Sequence, residues 1–273
     1  MKARPLLRYS EDVRSLGAVA CCLAVLLAPL AFEFSVEAMA ARIMVAAFLC
    51  FVASIVTHNH MHAPMLRARA LNVALNVALS LARGHSATGI VVPHNLNHHV
   101  HEGSREDWIA PLLAGRGPGV LRLVRYVAAA SANMAVRRWA KTAPRLPRRW
   151  RASSLLEKAA LWLLVLAVLL FAGWEGLVTI LVLPWLAGLA MLVGVNLLQH
   201  EGVRDGSRDF VGPIVNWLLF NNGYHTIHHM FPRLHWSRLA DKHREMARGR
   251  PRAHDEPSIL RYLAKMMVSR DAR

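Results

Sequence analysis

Long apolar runs alternate with charged stretches along this chain, and four of the runs approach the length of a membrane-crossing helix. They lie at about 16–34, 38–58, 155–174 and 177–198. About 20 predominantly apolar residues carry a helix across the hydrocarbon core of a bilayer. The pattern predicts an all-α membrane protein whose four transmembrane helices form two hairpins, with a cytosolic helical cap made from 59–154 and 199–273. We expect a single domain over 1–273, because no repeat or long linker interrupts the pattern.

Two shorter apolar runs, 71–82 and 211–220, cannot span a bilayer and predict interfacial or re-entrant helices. The first long run follows Lys2, Arg4 and Arg8 and so resembles a signal peptide. It lacks a small-residue cleavage site, and a second apolar run follows after a very short turn, so we expect a retained span. Arg42 stands near the start of the second run, where its long side chain could reach the interface.

Charge is distributed unevenly between the two ends of the predicted spans. Four Lys or Arg precede the first run, fourteen lie in 63–154 and thirteen in 199–273, whereas Arg42 is the only Lys or Arg near the two predicted turns. By the positive-inside rule, both termini and the long middle segment face the cytoplasm. We expect an integral, multi-pass protein, with a bacterial inner membrane as its location.

The composition excludes several other classes. The chain is 55% hydrophobic and 18% charged, with a formal net charge of +16, which fits neither a disordered tail nor an ordinary soluble basic protein. Its three cysteines lie in apolar runs and cannot form a disulfide framework, a Cys-based zinc site or an iron–sulfur site. The basic charge is expected to meet anionic lipid rather than nucleic acid, as in the run Arg137, Arg138, Lys141, Arg145, Arg148, Arg149 and Arg151.

Fifteen histidines are the unusual feature of the sequence, and most of them fall in clusters. Helical spacing places His58 with His62 on one face, His94 with His98 and His99, and His225 with His228 and His229. His200 ends the fourth predicted span. All four positions reach the same predicted membrane boundary. Neutral imidazole binds iron, copper, zinc or nickel, and nine such rings exceed the needs of one ion, so two ions with four or five nitrogens each are expected.

Other interpretations fit less well. Bis-histidine heme binding would require single histidines within the spans, and a metal transporter would place ligands near the bilayer midplane. A histidine-rich metal-binding or transport protein without redox turnover stays as the non-enzyme alternative. The remaining histidines are expected to be structural, except for His101, which continues the face of His94 and His98; the structural set is His60, His85, His235, His243 and His254.

The three histidine boxes and the single histidine resemble the integral-membrane fatty acid desaturase and hydroxylase superfamily. The likeness covers most of the chain. It rests on the spacings His58-x3-His62, His94-x3-His98-His99 and His225-x2-His228-His229, on His200, and on Asn221-Asn222-Gly223-Tyr224 before the third box. The three-residue spacing of the second box is similar to alkane hydroxylases as well as to some desaturases, which leaves the reaction outcome open.

The resemblance implies a non-heme diiron enzyme that uses dioxygen to desaturate an acyl chain, or alternatively to hydroxylate an alkyl chain or another apolar substrate. It implies the nine histidines as metal ligands. Positions that could support the ligands or bind through water are Asn196, Asn222, Asp107, Glu201 and His101; Glu102 and Glu106 also follow the second box, and Asp209 follows His200. The chain has no nucleotide-binding motif, so a ferredoxin-, rubredoxin- or cytochrome-type carrier with its reductase is expected to supply electrons.

Overall fold

The structure is a computed structural model, and it describes residues 5–141, 146–203, 206–248 and 254–269. Side chains of residues 137–141 are not described, so of the basic run that was expected to meet lipid only Arg148, Arg149 and Arg151 can be examined.

The described chain is mostly helical, in agreement with the predicted class. Its α-helices are α1 Asp12–Leu27, α2 Val36–His62, α3 Arg69–Arg83, α4 His99–His101, α5 Gly119–Lys141, α6 Arg148–Leu177, α7 Leu183–His200, α8 Pro213–Leu218, α9 His225–Met230, α10 Leu239–Ala247 and α11 Ile259–Val268. Two π-helices, Val91–His98 and Val178–Val182, and 3-10 turns at Ala28–Leu30, Thr88–Ile90, Pro111–Ala114 and Trp236–Arg238 complete the helical part. One departure from an all-α chain is a parallel pair of two-residue strands, β1 Asp209–Phe210 and β2 Asp255–Glu256.

Within the described residues, three continuous helical stretches are long and apolar enough to cross a membrane: Asp12–Leu30, Val36–His62 and Arg148–His200. The first two start and end within a few residues of the predicted spans, except that the second continues to the first histidine box. The third has 53 residues and covers both the third and the fourth predicted spans. It is interrupted at Gly173, whose backbone angles (φ 67°, ψ −169°) are not helical and favour glycine.

Two compact units make up the chain. The first consists of residues 1–90 and 146–191, and the second of residues 91–145 and 192–273. In the first unit, α1 packs on α2, and α3 packs on both α2 and α6. Large apolar side chains of α6 remain exposed, among them Trp162, Leu163, Leu170 and Phe171. An exposed apolar surface of this kind is expected of a helix that faces lipid rather than water.

Arg42 is buried in the first unit instead of extending to an interface, which corrects the sequence-based expectation. Its guanidinium donates hydrogen bonds to the carbonyls of Val25, Leu26, Thr179 and Ile180, over distances of 2.6–3.1 Å. The carbonyls of Val25 and Leu26 lie at the end of α1, and those of Thr179 and Ile180 lie in the π-helix Val178–Val182. In neither place do the carbonyls have regular α-helical partners. Because these carbonyls lack such partners, the guanidinium of Arg42 points into the first unit and bonds to them.

A fully buried carboxylate, Glu157 of α6, ties this helix to the segment before the second histidine box. It accepts hydrogen bonds from Ser153 (2.8 Å), Ser86 (2.5 Å) and the backbone N–H of Thr88 (3.0 Å), and it also contacts the Thr88 hydroxyl. Ser80 of α3 lies 3.4 Å away. Hydrogen-bond donors around the carboxylate thus take the place of a cationic partner.

The second unit has its own apolar core, formed where α11 packs against α5 and the end of α7. Leu198, Phe210, Ile259 and Met266 are its buried members. The strand pair β1–β2 joins the segment before the third histidine box to the segment before α11, with Asp209 opposite Asp255. This core supports the elements that carry seven of the nine predicted ligands.

Candidate metal centre

The first histidine box ends helix α2 in the first unit. Because residues four apart lie on one face of an α-helix, His58 and His62 stand next to each other, with ring centroids 5.0 Å apart. His60 points elsewhere and accepts a hydrogen bond from the backbone N–H of Met65 (3.2 Å). The box therefore provides two adjacent rings, and His60 has the structural contact that was expected.

The second box occupies a π-helix, Val91–His98, followed by α4. A π-helix bonds residue i to residue i+5, so it brings together positions five apart, which an α-helix would turn away from each other. His94 and His99 accordingly approach each other, with 3.0 Å between their Nε2 atoms. The π-helix thus places His99 on the same side of the helix as His94.

The third box forms the short helix α9, and His200 ends α7. His225 and His229 are four residues apart on α9, and their Nε2 atoms are 3.1 Å from each other. The Nε2 of His200 lies 2.8 Å from that of His225. The backbone N–H of Thr226 donates to Asp209 Oδ1 (2.7 Å), which fixes the start of α9.

The second unit brings the seven predicted ligands that it contains into two groups. Group A consists of His98, His200, His225 and His229, whose ring nitrogens lie within 4.8 Å of one another. Group B consists of His94, His99 and His228, where the Nε2 atoms of His99 and His228 are 3.1 Å apart. Members of the two groups are neighbours, since the rings of His99 and His229 stack with centroids 4.4 Å apart.

These distances fit bound metal ions. Two imidazole nitrogens at right angles on one ion, with bonds of ~2.1 Å, are separated by about 3.0 Å. The observed separations of 2.8–3.1 Å between Nε2 atoms match this value. The Nε2 of His98 is buried and has no hydrogen-bond partner among the described residues, as expected of an atom that awaits a cation.

Two carboxylates orient rings of group A by contacting their Nδ1 atoms. Asp107 Oδ2 lies 2.9 Å from Nδ1 of His98, and both side chains are completely buried. Glu102 lies 2.8 Å from Nδ1 of His229 and 3.3 Å from Nδ1 of His200. An acceptor at Nδ1 fixes the tautomer that leaves Nε2 available to a metal. The position of Asp107 agrees with its expected supporting role, and Glu102 supports two rings at once.

Burial favours the neutral rings that metal binding requires. Burial lowers the pKa of His229 to about 4, although its hydrogen bond to Glu102 opposes the change. Burial alone would raise the pKa of Glu102, but the hydrogen bonds to His200 and His229 outweigh it and hold this pKa below its usual range. At neutral pH the ring of His229 is therefore neutral beside the ionised carboxylate of Glu102.

The other positions expected to support the ligands have different surroundings. Asn196 donates to the hydroxyl of Tyr126 (2.6 Å), and Glu201 is paired with Arg122. The backbone carbonyl of Asn222 accepts a hydrogen bond from Gln199 (2.8 Å). His101 lies on α4, outside both groups. Tyr126 is a member of this network that sequence reasoning did not single out, because a lone tyrosine in an amphipathic helix has no distinctive spacing.

A third cluster joins Asp209, His243 and Asp255 beside the strand pair. His243 Nε2 lies 3.2 Å from Asp255 and 3.6 Å from Asp209. Burial raises the pKa of Asp209 to about 6, against the lowering effect of its hydrogen bond from Thr226. Because Asp209 also holds α9, the cluster supports the third box, and His243 has the structural surroundings expected of it.

Comparison with known proteins agrees with this geometry. Residues 36–258 match the fatty acid desaturase family, and the chain belongs to that family. Within it, the chain is similar to sphingolipid delta(4)-desaturase DES1 of Drosophila melanogaster, with 36% identity over 77 residues. This match covers 27% of the chain and spans only 24% of the length of that relative. The family membership confirms the resemblance on which the sequence-based predictions of lipid chemistry depend.

Proposed function

We propose that the chain is a membrane-bound, non-heme diiron oxidoreductase that uses dioxygen and external electrons to desaturate an acyl chain of a lipid-type substrate. The observation that carries the proposal is group A, in which four buried imidazoles converge. The Nδ1 atoms of three of these rings, His98, His200 and His229, contact the carboxylates of Asp107 or Glu102. A set of neutral nitrogen ligands is suited to iron, and the family membership favours iron over copper or zinc.

The proposed ligands are all nine histidines of the boxes. Group A supplies four nitrogens to one ion. Group B supplies three to the other, and the likeness of the first box to those of the family adds His58 and His62 to the proposed ligands. Bound iron would supply the oxidant that removes hydrogen from an unactivated carbon. The carboxylates Asp107 and Glu102 keep the ring nitrogens oriented throughout.

The electron balance requires a partner. Reduction of dioxygen to two waters takes four electrons, of which desaturation supplies two from the broken C–H bonds. The remaining two electrons and two protons must come from outside the substrate. A ferredoxin-, rubredoxin- or cytochrome-type carrier with its reductase fits this need.

We also propose that the helical stretch Arg148–His200 crosses the membrane twice and turns at Gly173, which completes four spans in two hairpins. The parts before and after Gly173 have about 25 residues or more, or ~37 Å at 1.5 Å per residue, against a core of ~30 Å. Support comes from hydrogen bonds that both parts make to one short segment, residues 81–86. Ser154, before Gly173, bonds to Ser86, and Trp185, after Gly173, donates to the carbonyl of Leu81. The termini and the metal centre are then cytoplasmic by the positive-inside rule, in a bacterial inner membrane.

Desaturation is favoured by the sphingolipid desaturase relative, whereas the second-box spacing keeps hydroxylation of an alkyl chain or another apolar substrate as the second candidate. Mass spectrometry of lipids from a host that expresses the chain separates the two outcomes. Desaturation removes two hydrogens from a chain, and hydroxylation adds one oxygen. The expected result is a new lipid with two hydrogens fewer.

Metal analysis of the purified chain tests the enzyme against the non-enzyme alternative. We expect about two irons per chain, with His98→Ala and His228→Ala losing both iron and product. His254→Ala is the matched control, because His254 is exposed and lies outside the ligand groups. Zinc in place of iron, or full turnover in His228→Ala, would contradict the proposal.

A further inference from the structure

A cavity of about 460 Å³ in the first unit is lined by four arginines, Arg8, Arg67, Arg69 and Arg149, together with His60 and Trp150. No acidic residue lines it among those that the structure describes. Arg67, Arg69 and Arg149 are exposed and take part in no ion pair within the described part of the chain. Four arginines around one cavity, three of them without an ion pair among the described residues, create a positive potential that attracts an anion.

The backbone holds two of these arginines on the same side of the chain. Leu7 and Leu66 form an isolated antiparallel bridge, with hydrogen bonds from Arg8 N to Met65 O (2.8 Å) and from Arg67 N to Leu6 O (3.0 Å). Residues next to a bridged pair on the two strands project to the same face. Arg8 and Arg67 therefore converge on the cavity, and the Nε of Arg8 is fixed by Leu66 O (3.2 Å).

Two helices also begin at this cavity. Helix α3 begins at Arg69 and α6 at Arg148, and neither has a side-chain cap or an acidic residue in its first turn. The N-terminus of a helix carries partial positive charge and free backbone N–H groups, so it normally prefers acidic neighbours. Arginines occupy both first turns instead. An anion in the cavity would remove this electrostatic conflict from both helices.

We propose that the cavity binds the phosphate of an anionic phospholipid head group. Guanidinium groups bind phosphate through paired N–H donors. Several arginines around one cavity can therefore donate hydrogen bonds to different oxygens of one phosphate. The cavity is also lined by Met61, at the end of the apolar helix α2, and by Trp150, a residue type that is common where a protein meets the head-group layer. These neighbours place the phosphate site beside a membrane-crossing segment, which favours a lipid over a soluble phosphate.

Native mass spectrometry of the full chain in detergent, with added phosphatidylglycerol or phosphatidylcholine, tests the proposal. We expect retention of phosphatidylglycerol in preference to phosphatidylcholine. The double variant Arg67→Gln/Arg149→Gln should bind phosphatidylglycerol about tenfold more weakly, since each arginine near a head group contributes substantially to anionic lipid binding. The matched control is Arg148→Gln/Arg151→Gln, which removes the same charge from exposed positions of α6 outside the cavity lining.

Equal loss in the cavity variant and in the control, or no loss in either, would overturn the proposal. If the double variant does not fold, the single variant Arg67→Gln, at an exposed position, gives the same comparison against Arg151→Gln. Addition of glycerol 3-phosphate identifies the source: failure to displace the lipid assigns the site to a head group, and displacement assigns it to soluble phosphate esters. The measurement needs no iron or turnover, so its failure is distinct from failure of the proposed oxidation chemistry.

Discussion

Adjacent histidines of this chain serve different ligand groups. His98 belongs to group A and His99 to group B, and His229 and His228 divide in the same way. The clustering of these histidines could be predicted from spacing, because helical faces align residues three or four apart. Their division between groups A and B could not be predicted, because it depends on the π-helix at Val91–His98 and on side-chain packing between distant segments. Spacing therefore predicted which histidines come together better than it predicted how they are divided between the two groups.

The supporting carboxylates show a second limit at this scale. Asp107 was expected to support the ligands and lies against His98, whereas Glu201 was expected to do the same and is paired with Arg122. Both acids follow a histidine closely in sequence. Which one faces a ring depends on the turn after each helix, and neither turn has a sequence pattern that fixes it.

Asp107→Asn tests the support given to His98. The amide keeps the shape of the carboxylate but loses its charge, so the imidazole is held less firmly in the tautomer that exposes Nε2. We expect iron affinity, measured by competition with a chelator, to fall roughly 10- to 100-fold. Asp241→Asn, at an exposed residue paired with Arg244, is the control and should keep its iron. Unchanged affinity in Asp107→Asn would exclude a supporting role.

At the scale of helices, the lengths of the apolar runs predicted the helical class and the positions of several helices. The first two spans and the short helix over 71–82 appear close to their predicted positions, as α1, α2 and α3. The sequence also has Gly173 near the boundary of the last two runs, and the helix breaks there. The inward turn of Arg42 escaped prediction, because its partners are carbonyls that lose regular bonding only in the folded chain.

Arg42→Met tests whether this arginine joins the helices. Methionine has a similar length but no donors, so the carbonyls at the end of α1 and in Val178–Val182 lose their partners. A buried acceptor without a donor costs roughly 1–3 kcal/mol, and several are affected here. We expect a lower thermal unfolding temperature in detergent by several degrees or more. Arg42→Lys, with fewer donors, should give an intermediate value, and a wild-type melting temperature for both variants would refute the assignment.

For the molecule as a whole, the excess of basic residues has a kinetic consequence. The net charge is +16, and exposed arginines such as Arg105, Arg116 and Arg125 lie on the second unit, which carries group A. An acidic electron carrier would be attracted over long range, and salt screens such attraction with a Debye length of ~10 Å at 0.1 M.

We therefore expect the rate of reduction by an acidic ferredoxin to fall several-fold between low and moderate ionic strength. Stopped-flow measurements with the purified carrier provide the rates. An uncharged chemical reductant serves as the control, because its reaction should hardly respond to salt. A carrier-dependent rate that is indifferent to ionic strength would count against electrostatic docking.

The bonds around Glu157 also have a topological consequence. Thr88 and Ser153, whose hydroxyls are 3.4 Å apart, stand just before and just after the stretch 91–145. The two ends of this stretch are thus fastened together by side chains that belong entirely to the first unit. The entropy of closing so long a loop grows only slowly with its length. A change in the length of a surface loop within this stretch should therefore cost little closure entropy, provided that the second histidine box and α5 are kept.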